Sequence, residues 1–178
     1  MEKKGKFLLK PHHFLDIIKL YGVGTEFFVS EEEYIRQIRG VKGKRREYHH
    51  DFNIAGNIVL ENPLAVITLT VGVDDVCSPC KFLVDGKCTD KLSSQFTYPS
   101  KEEWNQIVDK RMLDVWDLKE GDEITAIALC QLSRDKFTPE VVLDAWRENT
   151  KEEALERAEY LIDGLKKYVK RYKDLLGE

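Results

Sequence analysis

The sequence lacks any long uninterrupted apolar segment. Its 178 residues contain no run near the roughly 20 apolar residues that a membrane-spanning helix needs. The charged start at residues 1–6 is not followed by the apolar core of a signal peptide, because Phe7-Leu8-Leu9 is interrupted at once by Lys10 and Pro11. We therefore expect a cytoplasmic protein with no membrane partner.

The sequence also lacks a basic excess. Lysine and arginine number 28 against 32 aspartates and glutamates, a net charge of -4. A general nucleic-acid binder needs a positive surface to displace counterions from phosphates. The basic stretch at 36–46 is interpreted as a solvated loop rather than a phosphate site. Nucleic acid is therefore not among the expected partners.

Cysteine is scarce, with four residues in the chain. In a reducing compartment, a few spaced cysteines are more typical of metal ligands than of a disulfide framework. A chain of this length can be stable through one hydrophobic core. A bound metal is therefore not needed merely to rescue folding.

The predicted fold is α+β and mostly helical, with a small sheet and a cysteine-rich metal-binding loop. The clearest strand covers about 64–71, which is rich in β-branched residues and ends at Gly72. Capping residues, prolines and apolar spacing predict helices that begin near Pro11, 31, 48, Ser100, Thr125, Thr138 and Thr150.

The last helix is strongly amphipathic. Thr150 and Glu153 form a capping box, and apolar residues recur at helical spacing from Leu155 to Leu175. We expect a metal-binding α+β domain over 1–148, with 149–178 packed on it as an amphipathic helix. The alternative use of this apolar stripe is a homodimer interface.

Three cysteines fall within one short stretch. Cys77 and Cys80 share a tight turn, so both thiolates can reach one ion at about 2.3 Å. Cys88 follows, and Gly86 allows the chain to fold back before it. A redox dithiol is the alternative interpretation, which the third cysteine and the missing βαβ pattern make less attractive.

Cys130 lies on a predicted helix and has two interpretations of equal weight. It is either the fourth metal ligand or a buried core residue, since free cysteines behave as small hydrophobes. Spacing alone does not separate zinc from an iron–sulfur cluster, including the 4Fe–4S type, because both accept four cysteines.

His12 and His13 are candidate acid/base groups or ligands. Adjacent residues on a helix point about 100° apart, which makes a shared metal difficult. Asp16, four residues after His12, could orient that imidazole. The alternative is that one histidine only helps to complete the helix start.

Asp74 and Asp75 directly precede the cysteine turn. They could support the metal ligands, act as acid/base groups, or bond to backbone amides as turn residues often do. The cluster His49-His50-Asp51 is interpreted as a surface feature.

Three segments together resemble an uncharacterised bacterial and archaeal family, a domain of unknown function labelled iron–sulfur binding. The segments are Lys10-Pro11-His12-His13-Phe14-Leu15-Asp16, Val73-Asp74-Asp75-Val76-Cys77-Ser78-Pro79-Cys80 and Gly86-Lys87-Cys88. The resemblance covers about residues 7–123. It implies that one site contains His12, His13, Asp74, Asp75, Cys77, Cys80 and Cys88.

The chain departs from this family at Asp16, where many members have cysteine. A ligand supplied there is missing or replaced, so the fourth ligand is open among Cys130, a histidine and an exogenous group. The interpretation we prefer is a cysteine-bound iron–sulfur cluster that serves a small molecule or a redox partner. Its candidate catalytic residues are His12, His13, Asp74 and Asp75.

Two other functions compete with that interpretation. One is a structural four-cysteine zinc site that braces a non-catalytic interaction module. The other is an electron carrier, which requires four protein ligands. Both depend on whether Cys130 is a ligand.

Overall fold

The computed structural model describes residues 6–27 and 50–177. The expected helix over 31–38, the basic stretch 36–46 and His49 lie outside these residues. The elements in chain order are β1 (Lys6–Leu9), α1 (Pro11–Val23), α2 (Phe52–Glu61), β2 (Val66–Leu69), β3 (Leu83–Val84), β4 (Lys87–Cys88), α3 (Lys101–Trp116), β5 (Glu123–Thr125), α4 (Ala126–Lys136), α5 (Pro139–Ala145), α6 (Lys151–Arg171) and α7 (Lys173–Leu176). The predicted α+β, mostly helical class is confirmed. No helix in the described ranges is both long and apolar enough to cross a membrane.

The main sheet has three strands in the order β1-β2-β5. Central strand β2 runs parallel to β1, with Ile67 opposite Phe7, and antiparallel to β5, with Ile67 opposite Ile124. The strand predicted over 64–71 is shorter than expected because the chain leaves the sheet after Leu69. There the backbone N–H of Val71 donates to the Glu120 carboxylate at 3.1 Å instead of to a strand.

A small hairpin of β3 and β4 carries the third cysteine. Leu83 pairs with Cys88 across it. The two turn residues, Asp85 and Gly86, have φ angles of 49° and 74°, the left-handed pair that closes two-residue hairpins. The predicted return of the chain at Gly86 is therefore confirmed, although neither short strand was predicted.

The helix predicted to begin near 48 begins at Phe52, whereas four other predicted starts agree with the observed caps at Ser100, Thr125, Thr138 and Thr150. The Ser100 and Thr125 hydroxyls accept from backbone N–H groups three residues on. Thr150 and Glu153 form the reciprocal capping box at the start of α6. These bonds satisfy N–H groups that the first turn of a helix otherwise leaves unpaired.

The inward face of α3 includes a carboxylate that apolar spacing does not predict. Val108 and Met112 are buried there, and Trp104 is half-buried. Asp109 is fully buried. The apolar pattern missed this position because a carboxylate is normally interpreted as facing solvent.

Helix α6 crosses α1 with the two backbones in contact. A Cβ atom on Gly22 would lie 2.0 Å from the carbonyl oxygen of Tyr160, and one on Gly164 would lie 2.0 Å from that of Ile18. Only glycine fits such a crossing.

The apolar face of α6 is used inside the chain. Leu161, Leu165 and Tyr168 lie in the hydrophobic core, and the Tyr168 hydroxyl donates to the carbonyl of Val59 at 2.6 Å. The boundary between 148 and 149 and the homodimer interface stay predictions.

Candidate metal centre

The start of α1 is capped by carboxylates from distant parts of the chain. Its N-cap residue, Lys10, makes no side-chain capping bond, and Pro11 opens the first turn. The Lys10 N–H donates to Asp74 at 2.9 Å, and the His12 N–H donates to Asp109 at 2.8 Å. Backbone N–H groups that the first turn of a helix leaves unpaired therefore donate to carboxylates on the loop after β2 and on α3.

The same carboxylates hold the two histidine rings. Nδ1 of His12 lies 2.8 Å from Asp109, and Nδ1 of His13 lies 2.7 Å from Asp74. Both carboxylate side chains have 0% exposure. We assign the proton to Nδ1 of each ring from these bonds, which leaves the lone pair on Nε2.

The two imidazoles lie side by side, contrary to the divergence expected for neighbouring helical positions. The ring centroids of His12 and His13 are 4.3 Å apart and the planes are tilted by 56°. The rings stay together because each is held by its own carboxylate. Asp16 does not orient His12 as suggested, since it forms ion pairs with Arg157 and, at 3.4 Å, with Lys19.

Asp74 connects the helix start to the cysteine turn. One of its oxygens accepts from the Cys77 N–H at 2.9 Å, while the other accepts from Lys10 and His13. Burial alone would raise the pKa of Asp74, but His13 and the two backbone donors hold that pKa well below its usual range. Asp74 is thus an ionised carboxylate that positions its neighbours.

Asp75 bonds to the backbone of β1. Its carboxylate accepts from the Leu8 N–H at 3.0 Å, and its own N–H donates to the Leu8 carbonyl at 3.2 Å. This is the backbone-bonding alternative considered for the residue. Its catalytic role stays a prediction.

The three clustered cysteines lie on consecutive turns with half-buried, unbridged side chains. The Cys80 N–H donates to the Cys77 carbonyl at 2.8 Å, and the Leu83 N–H donates to the Cys80 carbonyl at 2.9 Å. Leu83 pairs with Cys88 in the hairpin. The Cys88 N–H donates to Glu102 at 3.0 Å, which attaches the hairpin to α3.

One group in the described part of the chain brings potential metal ligands close together. A ligand atom from each of His13, Asp74 and Cys77 lies within 4.8 Å of the other two. Cys80 and Cys88 are not members of this group. The structure therefore brings together three of the predicted site residues from two segments distant in sequence.

Lys10 is a site residue that the sequence patterns did not identify. Its side chain is almost fully buried. Burial lowers the pKa of its ammonium group, but Cys77 in its thiolate form and the charges of Asp74, Asp109 and Glu102 outweigh this and raise it. Its position directly before Pro-His-His was the one sequence signal that could have identified it.

The Cys77 thiol lies beside negative charge. Burial raises its pKa well above the usual range, and the Asp74 carboxylate raises it further, while Lys10 opposes both. Burial also disfavours the charged form of the His12 imidazole and so lowers its pKa, although Asp109 partly offsets that effect. Without a cation the site therefore favours a protonated thiol and a neutral imidazole.

Cys130 lies on α4 in the hydrophobic core, with no exposed surface. Burial raises the pKa of its thiol. This environment is what the core interpretation expects. Its role as a metal ligand stays a prediction.

The start of α2 lies next to the cysteine turn, because the Asp51 N–H donates to the Val76 carbonyl at 3.1 Å. The ring of Phe52 packs against two imidazoles there. Its ring centroid is 5.7 Å from that of His50 and 5.8 Å from that of His13. His50 and Asp51 of the predicted surface cluster thus lie beside the candidate centre.

No family model, curated protein or solved structure matches this chain. The fold and the site define an α+β protein with four free cysteines and a His/Asp/Cys group at ligand distance. That arrangement is compatible with metal binding. The resemblance to an iron–sulfur family stays a prediction.

Proposed function

We propose that this protein is a cytoplasmic metal-binding protein that holds an iron–sulfur cluster on Cys77, Cys80 and Cys88. One observation carries the metal-binding part of the proposal: ligand atoms of His13, Asp74 and Cys77 lie within 4.8 Å of one another. Nitrogen, oxygen and sulfur donors so close together are typical of a metal centre.

The chemistry of the donor set fits such a centre. Thiolates are the ligands that iron–sulfur clusters require, and Cys77, Cys80 and Cys88 carry free thiols. The buried carboxylates of Asp74 and Asp109 add negative charge that a bound cation compensates. Lys10 is already surrounded by those charges.

A cluster held by three cysteines leaves one iron available as a Lewis acid for a small molecule or for exchange with a redox partner. The imidazole of His13 would then lie beside the incoming molecule. Asp74 keeps the proton on Nδ1 of His13, so that Nε2 remains an acceptor.

Zinc is the second candidate, and a specific observation favours it. The imidazole of His13 and the thiol of Cys77, whose ligand atoms lie within 4.8 Å of each other, are both donors that structural zinc sites use. In that case the centre would brace the cysteine turn against α1 and the protein would be an interaction module without a reaction.

Metal and acid-labile sulfide analysis of the full chain, purified without oxygen, separates the two candidates. The cluster predicts brown protein with about four iron and four sulfide per chain. About one zinc without sulfide, and unfolding on chelation, would establish the alternative. If the protein retains neither iron nor zinc after it has been supplied with iron and sulfide and, separately, with zinc, metal binding by the cysteines is refuted.

Two cysteine variants form a matched pair for the same analysis. Cys80→Ser is the test variant, and it is expected to lower the metal content because it removes a ligand. Cys130→Ala is its control, since that thiol lies in the hydrophobic core, and it is expected to leave the metal content unchanged. Wild-type metal content in Cys80→Ser would contradict the proposed ligand set.

A further inference from the structure

The two imidazoles at the start of α1 use only part of their bonding capacity within the described residues. The contacts of His12 and His13 involve Nδ1, the His12 backbone N–H and the ring faces. Among the residues that the structure describes, neither Nε2 has a hydrogen-bond partner. The side chains of His12 and His13 are 15% and 13% exposed.

Each imidazole is oriented in the way that metal-binding histidines usually are. A histidine ligand commonly donates its second ring N–H to a carboxylate, which sets the tautomer and directs the other nitrogen to the metal. Asp109 does this for His12 and Asp74 does it for His13, at 2.8 and 2.7 Å. The start of the helix could be capped without either imidazole, so capping alone does not account for two adjacent histidines with this arrangement.

Asp109 supplies a second, independent observation. Its Oδ1 accepts both bonds from His12, whereas its Oδ2 is buried without a partner among the described residues. An unpaired buried carboxylate oxygen is costly. A cation bound near His12 would compensate that charge.

We propose that Nε2 of His12 and Nε2 of His13 bind one divalent transition-metal ion, at a site that uses no thiolate ligand. Asp109 and Asp74 are its positioning residues. Imidazole nitrogen suits zinc, iron, nickel and copper. Water or a substrate oxygen completes the coordination, as at metal sites that keep open positions.

Cobalt titration of the full-length protein, purified without oxygen, tests the proposal, with bound metal counted by equilibrium dialysis. We expect a cobalt ion that binds without a thiolate-to-cobalt charge-transfer band. His12→Ala and His13→Ala should each abolish it. Asp109→Asn should weaken it by about 10- to 100-fold, whereas Asp114→Asn, an exposed carboxylate on the same helix, should not.

The variant Cys77→Ser/Cys80→Ser/Cys88→Ser, which removes all three clustered thiols, separates this site from the thiolate centre. Retention of the cobalt ion in that variant supports a separate imidazole site, even if the cysteines of the wild-type protein prove to bind no metal. Loss of the ion together with the thiolate band would overturn the proposal, because the two sites would then be one.

Imidazole nitrogen NMR of the wild-type chain keeps the test valid if a variant does not fold. Zinc addition should shift the Nε2 resonances of His12 and His13 and leave their Nδ1 protons in place. Unchanged Nε2 resonances at saturating zinc would overturn the proposal.

Discussion

Asp109 accepts two hydrogen bonds from His12, one from the backbone N–H and one from ring Nδ1, both at 2.8 Å. The two residues are 97 positions apart. One carboxylate on α3 therefore caps α1 and orients an imidazole at the candidate centre. The integrity of the site and the stability of the fold are coupled through this pair.

Removal of the Asp109 side chain should destabilise the protein. Asp109→Ala leaves the His12 N–H without its acceptor, which we expect to lower the free energy of unfolding by about 1–3 kcal/mol. Urea denaturation measures the change. Asp114→Ala on the exposed face of α3 is the control, with an expected effect within about 0.5 kcal/mol. Equal losses in both variants would contradict the role of Asp109.

The glycine crossing of α1 and α6 should tolerate no side chain. In Gly164→Ala the new Cβ would lie 2.0 Å from the Ile18 carbonyl oxygen, so the helices must separate. We expect a loss of about 1–3 kcal/mol or more, measured by thermal unfolding. Gly72→Ala is the control, since its Cβ would meet Thr70 at an ordinary 3.5 Å. A wild-type melting temperature for Gly164→Ala would show that the crossing is looser than described.

Replacement of Cys130 should affect stability rather than metal content. Cys130→Ala removes a sulfur atom from a fully buried core position, and we expect destabilisation of about 1 kcal/mol or more. Metal analysis should give wild-type stoichiometry. Loss of metal from folded Cys130→Ala protein would restore the four-cysteine interpretation.

The Arg111–Glu148 ion pair should make stability depend on pH in the acid range. The Glu148 oxygens lie 2.6 and 2.8 Å from the guanidinium nitrogens, and hydrogen bonding to Arg111 lowers the pKa of Glu148 to about 2. Because the pKa of Glu148 is lower in the folded state, its carboxylate stabilises the fold at pH values above the unfolded pKa of 4.5. This stabilisation is lost as the pH falls towards 2.

Thermal unfolding of Glu148→Gln against wild type measures that contribution. The difference in melting temperature should be constant above about pH 5 and shrink as the pH is lowered towards 2. A difference independent of pH throughout this range would assign the effect to packing instead of charge.

The local structure of this protein could be predicted because its signals lie close together in the chain. Ser100 and Thr150 cap the helices that they were expected to cap, and Gly86 closes a turn. The spacing of Cys77 and Cys80 likewise placed both on one turn. Helix propensity, capping and turn chemistry act over a few residues, so neighbouring residues are sufficient to encode them.

The organisation of the site depends on packing between distant segments. Lys10 and Asp74 are 64 positions apart, and His12 and Asp109 are 97 apart. Hydrophobic patterning gave no reason to bury Lys10 or Asp109, because a charged group is buried only where folding supplies its partners. The sequence by itself therefore determined the helices, the turns and the cysteine spacing. The tertiary structure determined which carboxylate meets which histidine, since those contacts arise only when α1, α3 and the loop after β2 pack together.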